Sequence, residues 1–420
     1  SLPPPLPCRS KPKRMNPDNQ KRPNAMKMKR LLLITSIAFA SISNLSAQPN
    51  NRVEHLEVAP ALDAPKPEPF DGPIIQLSLL LDTSSSMDGL IDQARSRLWQ
   101  VVNEIGSAKI EGKVPQFQVS IFQYGNDGLS KKQDHIQLRA PFTTDLDIIS
   151  EQLFSLSTNG GQEYCGAALR ECLNQLDWLG SATSNTLQVI IIAGNEPFNQ
   201  GTEPFQEWTS HARKRGIHIN TVFCGNIEEG RKTLWAKAAQ QGGGEYSAID
   251  QDLTEFYVAT PFDDTLQVSN SALNSTYLGY GKKGKKAKMR QEAQDVSNQS
   301  LSSNSFFSRT ATKASSNYST SSWDLISAIE DGSTKIEDIK KEDLPEEFAN
   351  MSQQELEAHI NKLAADRKRI QKEINDATVK REAYIAEAKK EAAERSEKDL
   401  DDVLIEAIKK QATTKGFTFN

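Results

Sequence analysis

The chain has 420 residues, of which 37% are hydrophobic and 7% aromatic, and its formal net charge is −5. The first 47 residues hold nine basic side chains and one acidic one, so the remainder carries 41 Lys and Arg against 54 Asp and Glu, a formal charge of −13. Nucleic acids and anionic membranes attract basic surfaces, so this balance argues against either as the main partner. The length suits about two domains.

The N-terminal segments are typical of an exported protein. Residues 1–25 are Pro-rich and basic, which predicts an upstream or disordered extension. Residues 26–47 have a basic start, a short apolar stretch and small residues at the end, the pattern of a signal peptide. The stretch is shorter than the roughly 20 residues that span a bilayer, so we expect cleavage after about Ala47, with an uncleaved anchor as the alternative. Residues 48–70 read as a Pro-rich linker.

Residues 71–262 have the pattern of an α/β domain. The apolar runs IIQLSLLLD and LQVIIIAG are typical of strands buried on both faces of a parallel sheet. Amphipathic helices such as LIDQARSRLWQVVNEI alternate with the strands, which predicts βαβ units. The neighbouring runs QFQVSIFQYG and HIQLRAPF could add one antiparallel edge. We therefore predict a doubly wound, mostly parallel sheet with helices on both faces.

The C-terminal part is predicted to be extended first and helical later. Residues 263–322 are rich in small polar side chains, which predicts a polar low-complexity segment that is poorly packed. Residues 323–350 are predicted to form short helices, the first of them capped by Ser322. No segment after the signal peptide is apolar and long enough to be an integral membrane span.

A long helix or coiled coil is predicted over residues 351–412. Ser352 and Glu355 have the spacing of a capping box. A seam of mostly apolar residues follows at spacings of three and four: Leu356, Ile360, Leu363, Arg367, Ile370, Ile374, Ala377, Arg381, Tyr384 and Ala388. This pattern predicts self-association through residues 352–395, and a single solvated helix stays open because the seam contains two arginines.

The motif that carries chemistry is Asp82-Thr83-Ser84-Ser85-Ser86, directly after the first buried strand. Ligands of open parallel sheets bind at the carboxyl ends of the strands, near the point where strand order reverses. One carboxylate and two hydroxyls in a five-residue loop suit a hard divalent cation, Mg²⁺ first, with Ca²⁺ or Mn²⁺ as alternatives. The simpler interpretation is a turn rich in N-capping residues that opens the next helix.

At this motif the sequence resembles the von Willebrand factor A domain family, over about residues 71–260. In that family the DxSxS loop begins a metal-ion-dependent adhesion site, which a threonine from a second loop and an aspartate after the fourth strand complete. The open metal position accepts a carboxylate from a protein ligand. The resemblance therefore implies that Asp82, Ser84 and Ser86 hold a cation. The elements AGNEPF, TVFCGN, TYLGYG, SSWDL and LPEE also resemble secreted bacterial proteins with this layout.

Two positions depart from the family pattern. The family threonine falls on Glu163, and the family aspartate falls on Gly194, which Asn195 and Glu196 follow. In one interpretation Glu163 supplies the missing carboxylate, and Asp82, Ser84, Ser86, Glu163 and Asn195 form a rearranged metal site. In the other the site is degenerate. We favour metal binding, because a second carboxylate beside Asp82 would otherwise be repelled. Bound directly, Glu163 would take the position of a partner's carboxylate and close the site.

Three cysteines follow the signal peptide. Cys165 begins a predicted helix and Cys224 ends the fifth predicted strand, so both are expected at the carboxyl edge of the sheet. We predict a Cys165–Cys224 disulfide, with two unpaired buried thiols as the alternative. Cys172 is expected in the core.

The function predicted from the sequence is a metal-supported module that binds another protein at the cell envelope, in the periplasm or outside the cell. The alternative is a scaffold protein that acts through its C-terminal coiled coil and has a vestigial metal site. We expect no enzymatic activity, because no nucleophile–base pair and no motif of a hydrolase, zinc protease or nucleotide-binding loop can be read from the sequence.

Overall fold

The computed structural model describes residues 64, 66–180, 185–250, 257–348, 350–391 and 400–419. The predicted extension and signal peptide, and most of the predicted linker, lie outside these residues. No helix among the described residues has the length and apolar character needed to cross a membrane.

Six strands form one sheet in the order β3-β2-β1-β4-β5-β6. All neighbours are parallel except β2 and β3, which are antiparallel. The strands are β1 (Ile74–Asp82), β2 (Gln116–Tyr124), β3 (Ile136–Thr143), β4 (Thr186–Gly194), β5 (His218–Cys224) and β6 (Gly243–Ile249). The helices between them are α1 (Asp88–Gly106), α2 (Leu146–Ser155), α3 (Cys165–Gln175), α4 (Phe205–Lys214), α5 (Ile227–Lys232) and α6 (Trp235–Gly242). The predicted α/β fold, including its antiparallel edge, is confirmed.

The two central strands explain where a site can form. Every residue of β1 and β4 is buried, as expected when helices cover both faces of a sheet. One face packs against α1 and α2, and the other packs against α3, α4 and α6. From β1 the chain proceeds to β2 on one side, and from β4 it proceeds to β5 on the other. Strand order therefore reverses between β1 and β4, and their carboxyl ends border the crevice where such sheets bind ligands.

The segment predicted to be extended is helical. Residues 263–322 contain α7 (Asp263–Asn274), α8 (Gly281–Leu301) and α9 (Ser303–Lys313), so the prediction of a poorly packed polar segment is wrong. The reason is that polar side chains occupy positions where apolar ones would have given a helical pattern. Asn298 and Thr310, for example, are fully buried.

A buried charge network joins these helices to the sheet domain. Arg309, only 1% exposed, donates from Nη1 to Oδ1 of Asp147 on α2 at 2.6 Å and from Nε to Oδ1 of Asp295 on α8 at 2.6 Å. Lys313 adds a 2.7 Å contact to Oδ2 of Asp295. The guanidinium of Arg309 also lies 4.6 Å from the ring centroid of Trp99 on α1. Ion pairs and hydrogen bonds offset the free-energy cost of burying these charged groups. Because the buried positions are polar, the sequence shows no apolar helical pattern here.

Three more α-helices follow in the described residues: α10 (Leu325–Glu330), α11 (Gln353–Glu391) and α12 (Leu400–Thr414). Two short 3-10 helices, Ile336–Asp338 and Lys341–Asp343, lie between α10 and α11. The short helix α10 is capped by Asp324, which accepts a hydrogen bond from the Ser327 amide, and not by Ser322 as predicted. The capping box of α11 is confirmed, because the Ser352 amide donates to Glu355 at 2.8 Å and the Glu355 amide donates to the Ser352 hydroxyl at 3.3 Å. The predicted continuous helix is described as two, and the residues between them lie outside the described part.

The predicted coiled-coil seam packs inside the chain. Ile370 and Ile374 of α11 are buried in a core formed with α7 and α9. Arg367 donates to Oδ2 of Asp324 at 2.6 Å, and Arg381 donates to Oδ1 of Asp263 at 3.0 Å. Each seam arginine thus has a carboxylate partner within the same chain. The seam from Leu356 to Ala377 therefore packs within the chain, whereas Tyr384 further along is 46% exposed, and self-association through residues 352–395 stays a prediction.

The last helix returns to the sheet domain. Leu404, Ile408 and Ala412 of α12, with Phe417, join the core that β1 and α1 form on one face of the sheet. A backbone pair between Lys109 and Thr418 fixes the end of the chain beside α1. The helical region therefore meets the sheet domain in two places, through α12 in its core and through the Arg309 network against α1 and α2.

Candidate metal centre

The Asp82–Ser86 loop lies at the carboxyl end of β1 and is held from both sides. The Thr83 amide donates to the Tyr124 carbonyl at the end of β2 at 2.8 Å, and the Ser85 amide donates to the Gly160 carbonyl at 2.8 Å. Asp82 is fully buried, and its Oδ1 accepts the Ser84 amide at 2.8 Å. The loop therefore has a fixed conformation with its carboxylate directed into the sheet edge.

Glu163 faces Asp82 across a glycine. A β-carbon placed on Gly125 would lie 2.7 Å from Oδ1 of Asp82 and 2.8 Å from Cγ of Glu163. Gly125 also pairs with Gln162, which brings the second loop against the end of β2. Glu163 is only 5% exposed, and its amide donates to Oε1 of Gln200 at 3.0 Å. A larger residue at position 125 would separate the two carboxylates.

Asn195 completes the group from the end of β4. Its Nδ2 donates to the Ser86 hydroxyl at 3.1 Å, and the hydroxyls of Ser84 and Ser86 lie 3.3 Å apart. The structure thus brings the five predicted ligands together at the point where strand order reverses: Asp82, Ser84, Ser86, Glu163 and Asn195.

Three buried oxygen atoms of this group have no hydrogen-bond partner. They are Oδ2 of Asp82, Oε2 of Glu163 and Oδ1 of Asn195. Leaving a buried acceptor unsatisfied costs roughly 1–3 kcal/mol, and more when it is charged, so native structures rarely leave several together. Carboxylate, amide and hydroxyl oxygens are the donors that hard divalent cations prefer. The residues present therefore fit a cation.

The donor set is mixed. Among the described residues no group of three or more His, Cys, Asp and Glu side chains is arranged to hold a metal ion. Here two carboxylates act with two hydroxyls and one amide. That composition favours a cation that binds through few protein charges and keeps some of its waters, as Mg²⁺ does.

Both carboxyl groups resist ionisation without a counter-charge. Burial raises the pKa of Asp82 well above its usual value, and the nearby Glu163 raises it further. Burial raises the pKa of Glu163 to about 7, with Glu196 as the next cause. These are the shifts expected of like charges that share a desolvated site, and a bound cation would reverse them.

Tyr124 is a component of the site that the sequence did not reveal. This fully buried side chain donates from its hydroxyl to the Ala193 carbonyl at 2.9 Å. A β-carbon on Gly194 would lie 2.6 Å from that hydroxyl and 3.0 Å from Oδ2 of Asp82. The family aspartate position is glycine here because Tyr124 and Asp82 fill the space. The tyrosine that ends the strand QFQVSIFQY was the one available signal.

The predicted disulfide is wrong. Cys165, Cys172 and Cys224 are all free and buried. Cys165 packs in the core on the α3 face of the sheet, where its Sγ lies 3.8 Å from the Tyr124 hydroxyl, whereas Cys224 packs in the core on the opposite, α1 face. A sulfur bridge cannot cross the sheet between them. Cys172 lies in the core as predicted, with its Sγ 3.3 Å from the Ser78 hydroxyl.

Comparison with known proteins supports the domain assignment for part of the chain. Residues 77–254 match the family model of the von Willebrand factor type A domain. The search of curated proteins found no match.

Solved structures with a similar fold come from several sources. Proximal thread matrix protein 1 from the mussel byssus, with a zinc-occupied MIDAS motif, is 14% identical, with 42% of each chain covered and a TM-score of 0.32. BatB from Bacteroides thetaiotaomicron is 15% identical over 42% of this chain and 90% of its own, at 0.32. The pilus adhesin SpaC from Lactobacillus rhamnosus GG is 14% identical over 44% of this chain and 29% of its own, at 0.32. The chain thus spans about two fifths of the mussel protein.

The sheet order, the loop after β1 and the family match agree. Residues 77–254, which match the von Willebrand factor type A domain model, carry the mostly parallel six-stranded sheet, and a helical C-terminal region follows them.

Proposed function

We propose that this protein is a binding module in which a divalent cation, held by Asp82, Ser84, Ser86, Glu163 and Asn195, supports the docking of another protein. The observation that carries the proposal is the group of three buried, unpartnered oxygens described above. When bound, the cation would supply the positive charge that keeps the two carboxyl groups ionised and the loops in one arrangement.

The protein's own residues define how the site would work. Asp82 and Glu163 supply negative charge from opposite sides of Gly125, and the two serine hydroxyls turn toward each other within the β1 loop. Asn195 holds the loop by its hydrogen bond to Ser86 and leaves its carbonyl oxygen free. The site is thus fixed in shape before any partner arrives, which lowers the entropic cost of binding.

We propose binding and not catalysis. The thiol closest to the site, Cys165, has its pKa raised by burial, so it stays in the neutral form that is a poor nucleophile. We favour this proposal over a scaffold that acts through a coiled coil, because Ile370 and Ile374 of the α11 seam pack against α7 and α9 of the same chain.

We also propose that the protein acts in the periplasm or outside the cell, after removal of residues 1–47. Support comes from the sequence pattern of that segment alone. N-terminal sequencing of protein recovered from a bacterial periplasmic fraction tests this. A start near Gln48 supports export with cleavage, and an intact N-terminus in the cytoplasmic fraction refutes it.

Isothermal titration calorimetry with Mg²⁺, Ca²⁺ and Mn²⁺ tests the metal site. The wild type should bind at least one of these ions with a stoichiometry of about one, and Glu163→Gln should bind it at least about tenfold more weakly because one anionic donor is lost. Glu347→Gln, which removes an exposed carboxylate from the segment before α11, is the matched control. If wild type, Glu163→Gln and the control give the same heats, Glu163 does not belong to a metal site.

A further inference from the structure

Two more carboxylates surround the candidate metal centre. Asp127, which follows β2, lies directly over Gly160, since a β-carbon there would be 2.1 Å from its Oδ2. Glu196 follows β4, and Gln200 links it to Glu163: the amide group of Gln200 donates to Oε2 of Glu196 at 3.5 Å and accepts the Glu163 amide at 3.0 Å. Asp82, Glu163, Asp127 and Glu196 therefore share one edge of the sheet.

A single divalent cation does not balance these four charges. The basic side chains that line the neighbouring cleft are Lys131 and His135, and His135 lies 3.9 Å from Oδ1 of Asp127. Arg170 is close by but already contacts three other carboxylates: Asp134 at 2.8 Å, Glu171 at 2.8 Å and Glu203 at 2.6 Å. Four carboxylates, one divalent cation and the Lys131 ammonium leave a local charge of about −1. Such a surface repels a like charge and attracts an opposite one, so the sign of the partner's charge is constrained.

A cleft opens next to Glu163 and gives such a partner a place to bind. Its volume is about 780 Å³, and its walls include Asp127, Gln162, Tyr164 and Glu203. Gln162 and Tyr164 are the two neighbours of Glu163 in the chain, so the cleft and the candidate metal centre share the same loop. The Tyr164 ring offers a surface on which a guanidinium or ammonium group can stack.

Because Glu163 is itself a carboxylate beside the candidate metal centre, the site does not need a carboxylate from a partner. In the family pattern the position of Glu163 holds a neutral threonine, and the partner brings the carboxylate that fills the metal's open position. Here the chain supplies that carboxylate from a residue that is 5% exposed and whose Oε2 has no partner of its own. A second acidic group from outside would meet four carboxylates in place of an open cation.

We infer that the cleft beside Glu163 recognises a basic side chain, Arg or Lys, on a partner protein. This inference rests on the proposed function, since the cation is needed to hold Glu163 and the cleft wall in place. The partner's contacting residue would thus be basic, whereas in the family pattern it is acidic.

Fluorescence anisotropy with two labelled peptides tests the inference. The peptides are identical in length and sequence, except that one carries arginines where the other carries glutamates. In buffer with Mg²⁺ at physiological salt, the full chain should bind the arginine peptide in preference. The double variant Asp127→Asn/Glu196→Gln should weaken that binding about tenfold or more. The double variant Glu346→Gln/Glu347→Gln makes the same change in net charge on an exposed segment of the helical region and should change it less than about twofold.

The outcomes separate the inference from the function on which it rests. Preference for the glutamate peptide, equal weakening by both double variants, or no binding of either peptide while calorimetry still detects Mg²⁺ binding would each overturn the inference alone. Absence of Mg²⁺ binding to the wild type would overturn the proposed metal site, and arginine-peptide binding that EDTA leaves unchanged would show that the cleft acts without a cation.

Discussion

The hydroxyl of Tyr124 occupies the space that a side chain at position 194 would need. The two residues lie at the ends of β2 and β4, on either side of β1, and the hydroxyl is anchored to the Ala193 carbonyl. The tyrosine at position 124 therefore requires a glycine at position 194. Glu163 on the second loop places a carboxylate opposite Asp82 across Gly125.

This coupling predicts non-additive mutations. Gly194→Ala should lower the free energy of unfolding by about 1–3 kcal/mol, because its β-carbon would lie 2.6 Å from the tyrosine oxygen. Tyr124→Phe should cost about 0.5–1.5 kcal/mol through the lost hydrogen bond to Ala193. The double variant should cost less than the sum of the two by at least about 0.5 kcal/mol, since Phe makes room for Ala. Urea unfolding of the four proteins measures this cycle, and strict additivity would show that the two residues do not compete for space.

Glu163 predicts a pH dependence of stability in the absence of metal. Its pKa is raised from 4.5 to about 7 in the folded state, so the folded protein binds this proton more tightly than the unfolded chain. Stability from this group is therefore fully present below about pH 4.5 and is lost as pH rises through about 7. In EDTA, the melting temperature of the wild type relative to Glu163→Gln should fall between pH 5 and pH 8, because glutamine cannot ionise.

The same comparison with excess Mg²⁺ is the control. A cation that binds the ionised carboxylates stabilises the folded state more as pH rises, so the fall should disappear in the wild type. The contrary result is a melting-temperature difference between wild type and Glu163→Gln that does not change with pH in EDTA. It would mean that Glu163 is solvated and does not lie close to other carboxylates.

Arg309 predicts strong coupling between the helical region and the sheet domain. Arg309→Met would leave the buried carboxylates of Asp147 and Asp295 without their shared partner, at a cost of roughly 3–5 kcal/mol. Lys372→Met breaks an exposed pair with Asp376 one helical turn away and should cost at most about 0.5 kcal/mol. Urea unfolding of both variants decides the matter: similar midpoints would show that the network does not hold the two parts together.

The seam of α11 predicts stability from packing within one chain. Changing the fully buried Ile374 to Ala should lower the free energy of unfolding by roughly 2–5 kcal/mol. Val379, which is 67% exposed on the same helix, should change stability by no more than about 0.5 kcal/mol when changed to Ala. The unfolding midpoint of the wild type should not depend on protein concentration. A midpoint that rises with concentration would place the seam between two copies.

The sequence predicted those features that depend on apolar pattern and on one local motif. The continuous apolar runs of β1 and β4 located the centre of the sheet, and the loop after β1 located the site. Pattern could not predict α8 and α9, because their buried faces carry polar side chains that have partners elsewhere in the chain. Asn298 accepts from Trp99, Thr310 donates to the Phe306 carbonyl, and Arg309 donates to Asp295. A polar composition there indicated exposure, whereas the chain buries it by pairing.

The wrong prediction of a Cys165–Cys224 disulfide and the unexpected partners of the α11 arginines also have physical causes. Cys165 and Cys224 were expected near the same edge of the sheet, but their side chains lie on opposite faces. Cys224 shares a face with Val222 because side chains alternate along β5, and Cys165 packs on the other face. The arginines of the α11 seam, Arg367 and Arg381, weaken a coiled coil, yet they suit a helix that meets carboxylates of its own chain. In both cases the sequence spacing placed the residue on the correct element but did not identify the group that it contacts.

The cation between Asp82 and Glu163 is the claim on which the rest depends, and anomalous scattering from a crystal soaked in MnCl₂ tests it most directly. We predict a single strong anomalous peak in contact with the Ser84 and Ser86 hydroxyls and the Glu163 carboxylate. A map without a peak between these side chains, in a crystal where Asp82 and Glu163 still face each other across Gly125, would contradict the proposed site.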